Sequence, residues 1–307
     1  MPSLRDVKRR ITSVRNTSKV THALEAVSAT KMRRWQERAI NARPFALKAL
    51  ALLASLRERS PQKYIAKAQR VLNPEAPQIF LVISSDKGLC GGYNLRLLNK
   101  VNDLAKTMPH LKCVALGKYG KEYLRRRGQE IILDETGFGE RVSRDRIKEL
   151  YEFLEQGFLK GIFSRVLVAY TEFFSTLKQE PKIRQLLPIN EEDLRAIIQS
   201  ITPRTGKYSD LNPKPSTLNP NFHYLFEPSA QAIIPTLIKE LTQVALFHMV
   251  LESNASEHSA RMVAMKSATD NAKELLKGLN LQYNKARQGD ITKGVLEVAA
   301  GAEALSS

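Results

Sequence analysis

The sequence predicts an α/β insert held between two long helices that pair as an antiparallel coiled coil. Three observations lead there. An apolar seam of heptad spacing lies near the N-terminus, a longer one lies near the C-terminus, and short β-branched runs alternate with helical stretches between them.

The first helix is expected to start at Ser3, because Ser3 and Asp6 fit an S-x-x-D capping pattern. The Arg-, Ser- and Thr-rich opening imitates a transit peptide, but a helix with its own cap reads as mature structure. Residues 3–43 contain neither Gly nor Pro, and Leu4, Val7, Ile11 and Val14 recur three and four apart. The same count continues through Ser18, Thr21, Glu25 and Ser28 to Met32 and Trp35, while Val20, Leu24 and Val27 form a neighbouring apolar line. The contact face is therefore expected to shift in mid-helix. Pro44 is expected to kink or interrupt the helix, since proline lacks an amide donor and clashes with the preceding turn. A second helical piece follows over 45–59, then a Pro-containing connection over 60–77.

From 78 to 188 the pattern changes. Strands are predicted at 79–84 (IFLVIS), 113–116 (CVAL), 130–133 (EIIL) and 165–173 (RVLVAYTEF), with helices at about 95–107, 118–127 and 144–158. This alternation argues for a mostly parallel sheet. Residues 190–228 are rich in Asn, Pro, Ser and Thr and read as a loop.

The last segment carries the longest seam: Leu237, Leu241, Val244, His248, Leu251, Ala255, His258, Met262, Met265, Thr269, Ala272, Leu276, Leu279, Tyr283 and Ala286, resuming at Ile291, Val295 and Val298. It predicts a helix of roughly 65 to 70 residues, about 100 Å long, whose last turns project beyond its partner. The expected division is 1–60 for the first coiled-coil helix, 61–228 for the insert with its loop, and 229–307 for the second helix.

Composition narrows the functional classes. The chain has 307 residues and a formal charge of +17, which calls for an acidic partner: nucleic acid, anionic membrane or acidic protein. Residues 1–60 concentrate this charge, with fourteen Lys and Arg against four Asp and Glu. Two cysteines, Cys90 and Cys113, do not make a disulfide framework and read as core thiols. The longest unbroken apolar runs, such as 49–54 and 79–83, fall far short of the roughly 18 residues that span a bilayer.

Motifs for catalysis are weak. SSDKGLCGGYN (84–94) follows a strand and precedes a helix, as phosphate loops do, but Lys87 precedes Gly88 and no Ser or Thr follows, so a structural turn is the better reading. His22, His110, His223, His248 and His258 lack metal-ligand spacing, and the two on the seam read as packing or buried hydrogen bonds. No catalytic residue, cofactor site or metal site is expected.

Four blocks carry a resemblance: RDVKRRITSVRNTSKVTHALEAVSATKM (5–32), SSDKGLCGGYN, ESNASEHSARMVAMKSATDNA (252–272) and YNKARQGDIT (283–292). Together they resemble the gamma subunits of F-type ATP synthases. The resemblance implies a non-catalytic central shaft turning inside a ring of alpha and beta subunits, with a Rossmann-like α/β domain as its foot near the membrane rotor. It implies as partners the alpha and beta subunits of the catalytic hexamer, the epsilon subunit and the membrane c-subunit ring, with no nucleic acid. It implies a peripheral membrane protein on the cytoplasmic face of a bacterial plasma membrane, or on a thylakoid or other energy-transducing membrane.

By matching motif positions, Arg287 and Gln288 correspond to residues that engage a beta-subunit catch loop, with Thr292 and Glu297 nearby on the same helix. Lys8, Arg9 and Leu24 are further beta-contact candidates. Many relatives carry Lys-Ala-Met where this chain has His22, Ala23 and Leu24, and Gly294 stands where some bacterial relatives have an acidic residue. The paired cysteines of the chloroplast redox insertion are absent. Two other classes stay in view: a nucleic-acid-binding coiled coil using the basic first helix, and an enzyme on the insert.

Overall fold

The computed structural model describes residues 3–59, 73–108, 111–140, 142–188 and 229–306. The expected loop over 190–228, most of the connection over 60–77, and His110 and His223 lie outside them. The described elements are α1 (Leu4–Arg59), β1 (Gln78–Ile83), α2 (Tyr93–Ala105), β2 (Leu111–Leu116), α3 (Lys118–Arg126), β3 (Glu130–Glu135), α4 (Arg144–Leu159), β4 (Arg165–Phe173), β5 (Gln179–Leu187) and α5 (Ala230–Ser306). Two compact units result: Met1–Ala29 with Arg261–Ser307, and Thr30–Ala260.

In the larger unit the strand order is β3-β2-β1-β4-β5. The first four strands are parallel, and β5 runs antiparallel to β4. The sequence reading missed β5, because QEPKIRQLL carries a proline and five charged or amide side chains instead of a β-branched run. An edge strand tolerates these, since one side has no ladder to complete. The inner strands are apolar on both faces because helices cover both. On one face, Phe80, Val82, Cys113, Ala115, Leu167 and Ala169 pack with Leu97, Leu98 and Val101 of α2 and Leu124 of α3. On the other, Ile79, Leu81, Val114, Val168 and Tyr170 pack with Leu150 and Leu154 of α4, Trp35 and Ala39 of α1, and Leu241, Leu246, Met249 and Val250 of α5.

That second face changes the burial of α5. Nearly every residue from 241 to 259 is buried or half-buried, so a single seam does not describe this stretch. A segment within Ala232–Ala302 is apolar enough to cross a membrane, with mean hydropathy 1.3, and 56% of it is buried inside the protein. Packing against the sheet accounts for that apolarity. Burial also pushes the Cys113 thiol up to about 12, which makes it an inert core thiol.

In the smaller unit α1 and α5 run antiparallel. Thr21 meets Thr269 through a buried hydrogen bond of 2.7 Å, and Arg10 and Val14 share one groove with Asn271, Leu275, Leu279 and Gln282. Val7, Ile11, Thr21 and Ser28 of α1 are buried, as are Met265, Thr269 and Ala272 of α5. Leu276, Leu279, Tyr283 and Ala286 are half-buried, and beyond them the helix is almost wholly exposed, as the projecting end requires.

Two expectations need correction. The contact face of α1 does not shift to Val20, Leu24 and Val27: Val20 and Val27 are 58% and 53% exposed and Leu24 is half-buried, while Thr21 and Ser28 stay on the buried line. The seam keeps its register and becomes small and polar instead. Small side chains allow close approach, and the hydroxyls are satisfied by Ser28 donating to the Leu24 carbonyl at 2.7 Å and Thr21 to that of Ser18 at 3.1 Å. Nor does Pro44 interrupt α1, which is assigned as one helix of 56 residues with Pro44 inside it. A proline removes a single donor from the ladder, and here its ring faces solvent. The Ser3 cap is present: its Oγ accepts from Asp6 N at 3.2 Å and donates to Asp6 Oδ2 at 2.7 Å.

The Thr21 and Thr269 pair yields a stability prediction. Thr269→Val leaves the buried Thr21 oxygen without its donor and costs about 1–2 kcal/mol, whereas Thr21→Val with Thr269→Val together costs less than the two single changes summed. Urea unfolding of the four variants measures this difference, and strict additivity would contradict the buried bond.

Candidate functional site

The loop 84–94 sits at the carboxyl end of β1, where doubly wound sheets bind ligands. Its polar groups are already engaged within the protein. Ser84 Oγ donates to the Leu116 carbonyl at 3.0 Å and accepts from Gly120 N at 2.8 Å. Asn94 accepts from Ser85 N at 3.2 Å and donates to Ser85 Oγ at 2.6 Å. Asp86 Oδ1 accepts from Lys118 N at 3.1 Å, which puts a carboxylate at the α3 N-terminus, where a phosphate would otherwise sit. The turn also uses left-handed backbone at Leu89 and Gly91. At Gly117, with φ at +97°, an added Cβ would collide with the Ser84 carbonyl, so this close approach of β1 and β2 requires glycine. The structural-turn reading of the motif holds.

Beside it lies a cleft of about 500 Å³ lined by Lys87, Lys118, Lys121, Arg125, Asp86 and Glu140 among others. Glu140 accepts from Lys87 at 2.9 Å and Lys31 at 3.1 Å, tying the loop to α1 within the larger unit. Hydrogen bonds from these two ammonium groups hold the Glu140 carboxyl down at about 2, from an ordinary 4.5. Lys121 is likewise paired, with Asp134 at 2.7 Å. Among the described residues no group of three His, Cys, Asp or Glu could hold a metal ion. His248 and His258 are buried, and His248 Nδ1 lies 3.4 Å from Glu252 Oε1.

The ESNASEHSA block holds residues that sequence reasoning missed as a site. Ser253 Oγ donates to the Ile83 carbonyl at 3.2 Å and lies 2.7 Å from the Tyr93 hydroxyl. Asn254 Nδ2 donates to the Gly139 carbonyl at 3.0 Å. Ser256 Oγ donates to the Thr171 carbonyl at 3.1 Å, and Ser259 Oγ to that of Thr176 at 2.9 Å while accepting from Gln179 at 3.3 Å. Burial keeps the Tyr93 phenol protonated, so it remains a donor. Four small polar residues within the seven positions 253–259 of a predicted apolar helix were the available signal.

The resemblance-derived residues do not gather into a pocket. Arg287, Gln288, Thr292 and Glu297 are all exposed on the projecting part of α5. Thr292 donates to the Gln288 carbonyl at 2.9 Å, and Glu297 lies 3.8 Å from Lys293. Lys8 and Arg9 are exposed on α1, with Arg9 3.3 Å from Asp6, and Leu24 is half-buried. None of the seven lines the groove of the smaller unit.

Fold and contacts define a helical-stalk protein with an α/β insert. The family model described as ATP synthase matches residues 3–305. The chain is 37% identical to the ATP synthase gamma chain of Heliobacterium modesticaldum and 36% identical to that of an Acidovorax species, in each case over 99% of this chain and 100% of the relative. Its fold is similar to a chain of the Euglena gracilis mitochondrial ATP synthase OSCP/F1/c-ring structure, with TM-score 0.63 and 16% identity over 98% of this chain and 94% of that one. It is also similar to one in the Tetrahymena thermophila central stalk and c-ring structure, with TM-score 0.55 and 21% identity over 81% of this chain and 99% of that one. The chain belongs to the ATP synthase gamma chain family.

The paired lysines give a pH prediction. A carboxyl with a depressed pKa adds stability above its ordinary pKa, and loses it as pH falls from about 4.5 to about 2. Because Glu140 is partly exposed, solvent screening limits this to well under ~1 kcal/mol. A carbon-detected NMR titration of the Glu140 carboxyl is expected to move its midpoint upward in Lys87→Ala and again when Lys31→Ala is added.

Proposed function

We propose that this chain is the central-stalk rotor shaft of an F-type ATP synthase, coupling proton-driven rotation to ATP synthesis and hydrolysis at beta-subunit sites. The observation that carries this reading is the projecting end of α5. Past Ala286 the helix continues to Ser306 while Ile291, Val295, Leu296 and Val298 are 58%, 63%, 63% and 75% exposed. Apolar side chains at helical spacing with no partner among the described residues call for a sleeve from outside. The hexamer of alpha and beta subunits supplies that sleeve in this reading.

The residues beside this apolar stripe then become contacts. Arg287 presents a planar guanidinium able to take a beta-subunit carboxylate in a bidentate pair, with Gln288, Thr292 and Glu297 on the same stretch. Lys8, Arg9 and Leu24 form the N-terminal contact set. Rotation of an asymmetric shaft presents these groups to each beta subunit in turn, and it shifts nucleotide-site populations only through different interaction energies with the two conformations. The insert serves as the foot, binding the epsilon subunit and the c-subunit ring at the cytoplasmic face of the membrane. The shaft itself performs no chemistry. The charge on α1 fits acidic protein surfaces, and nothing observed favours nucleic acid.

Co-expression with alpha and beta subunits is expected to give a complex that co-elutes on size exclusion and hydrolyses ATP. Failure to co-elute would sink the shaft reading. In single-molecule rotation, Arg287→Ala with Gln288→Ala is expected to lower torque, each truncation removing roughly 1–2 kcal/mol of interface energy. Undiminished torque would remove the catch-loop role.

A further inference from the structure

A shaft that transmits torque must be held against turning in its own foot. α5 is assigned as one helix from Ala230 to Ser306, so any turn imposed within the insert passes along its main-chain ladder. Apolar packing holds a helix in place but is non-directional, and a helix can slip about its axis by repacking. Hydrogen bonds to fixed carbonyls are directional and resist that motion.

We propose that Ser253, Asn254, Ser256 and Ser259 form the coupling clamp of the shaft. They are positioning residues that lock α5 rotationally into the α/β insert. This rests on the central-stalk reading. A buried hydroxyl in a helix is usually satisfied by its own helix, as Thr242 donates to the Ile238 carbonyl at 2.7 Å and Ser28 to that of Leu24 at 2.7 Å. The three clamp serines instead reach out to other elements: the end of β1 at Ile83, β4 at Thr171, and the β4–β5 turn at Thr176. Asn254 adds the loop after β3 at Gly139, where an added Cβ would come within 2.6 Å of the asparagine oxygen.

At about 100° per residue, these four positions are spread over roughly 220° of the helix circumference. A grip from one face could be relieved by a small roll. A grip from more than half the circumference cannot, because a turn in either direction stretches bonds on opposite sides together. All four side chains are buried, so water offers no substitute partner when a bond breaks.

The test uses the whole ATP synthase reconstituted into proteoliposomes, with ATP hydrolysis and ATP-driven proton uptake read in the same vesicles. Losing two such bonds raises the slipped population by roughly 25-fold. Ser256→Ala with Ser259→Ala in assembled complexes is therefore expected to retain hydrolysis while protons taken up per ATP fall about twofold or more. Thr242→Val, which removes an equally buried hydroxyl whose hydrogen is donated within its own helix, is expected to leave that ratio unchanged. An unchanged ratio in the double serine variant, or an equal fall in Thr242→Val, overturns the clamp. A wild-type chain that fails to assemble with alpha and beta subunits overturns the shaft reading itself, and the two failures are distinguishable.

Discussion

The rest of the structure depends on one constraint: a polar side chain buried in a helix needs a partner, and α5 finds its partners at the carboxyl ends of the strands. Between Glu252 and Arg261 the helix buries serines, an asparagine, a histidine and charged groups where a helix packed on a sheet would ordinarily carry aliphatics. Each serine hydroxyl answers a carbonyl at a strand end, in a strand or in a turn, so these contacts fix both the height and the rotation of the helix on the sheet. Shifting α5 by one residue would turn its small polar residues toward apolar strands and orphan the carbonyls. The loop motif at 84–94 serves the same end, since its internal bonds set the position of Tyr93, whose hydroxyl meets Ser253.

Along α5 the environment changes in three stages, and each leaves its own pattern in the sequence. Against the sheet, burial is nearly all-round, and the residues are apolar or small and partnered. Beside α1 only one line is buried, with Met265, Thr269 and Ala272 meeting a seam that contains Thr21 and Ser28. Threonine and serine at these positions weaken the apolar drive but bring the backbones closer, and the bond from Thr269 to Thr21 fixes the register. In the last stage Ile291, Val295 and Val298 are exposed among the described residues.

Much of this was legible in the sequence, for physical reasons that differ between elements. The inner strands announced themselves because burial on both faces demands continuous β-branched runs, and β4 was predicted to the residue. The α5 seam was legible because unbroken three-four spacing has no cheaper explanation. β5 was not, since an edge strand is selected for what it excludes, and its charges and proline look like a loop. The false shift of the α1 seam came from counting only apolarity: Val20 and Val27 looked like a contact face, while the true one ran through Thr21 and Ser28, whose hydroxyls are satisfied within the helix. The clamp was invisible for a related reason, because which carbonyl a buried serine will meet depends on strands far away in sequence.

The distribution of charge completes the argument. Exposed cations dominate α1, and the cations of the insert cleft are largely neutralised by their neighbours, with Glu140 shared between Lys31 and Lys87 and Asp134 taken by Lys121. Positive charge concentrated on a helix surface repels itself and costs stability unless acidic groups balance it. On the end of α5 that charge is sparse and lies beside exposed apolar residues, a mixture suited to a close protein sleeve and poorly suited to a polyanion, which needs a continuous basic track. Polar residues thus anchor α5 against the sheet, and apolar residues are exposed, among the described residues, on its last turns.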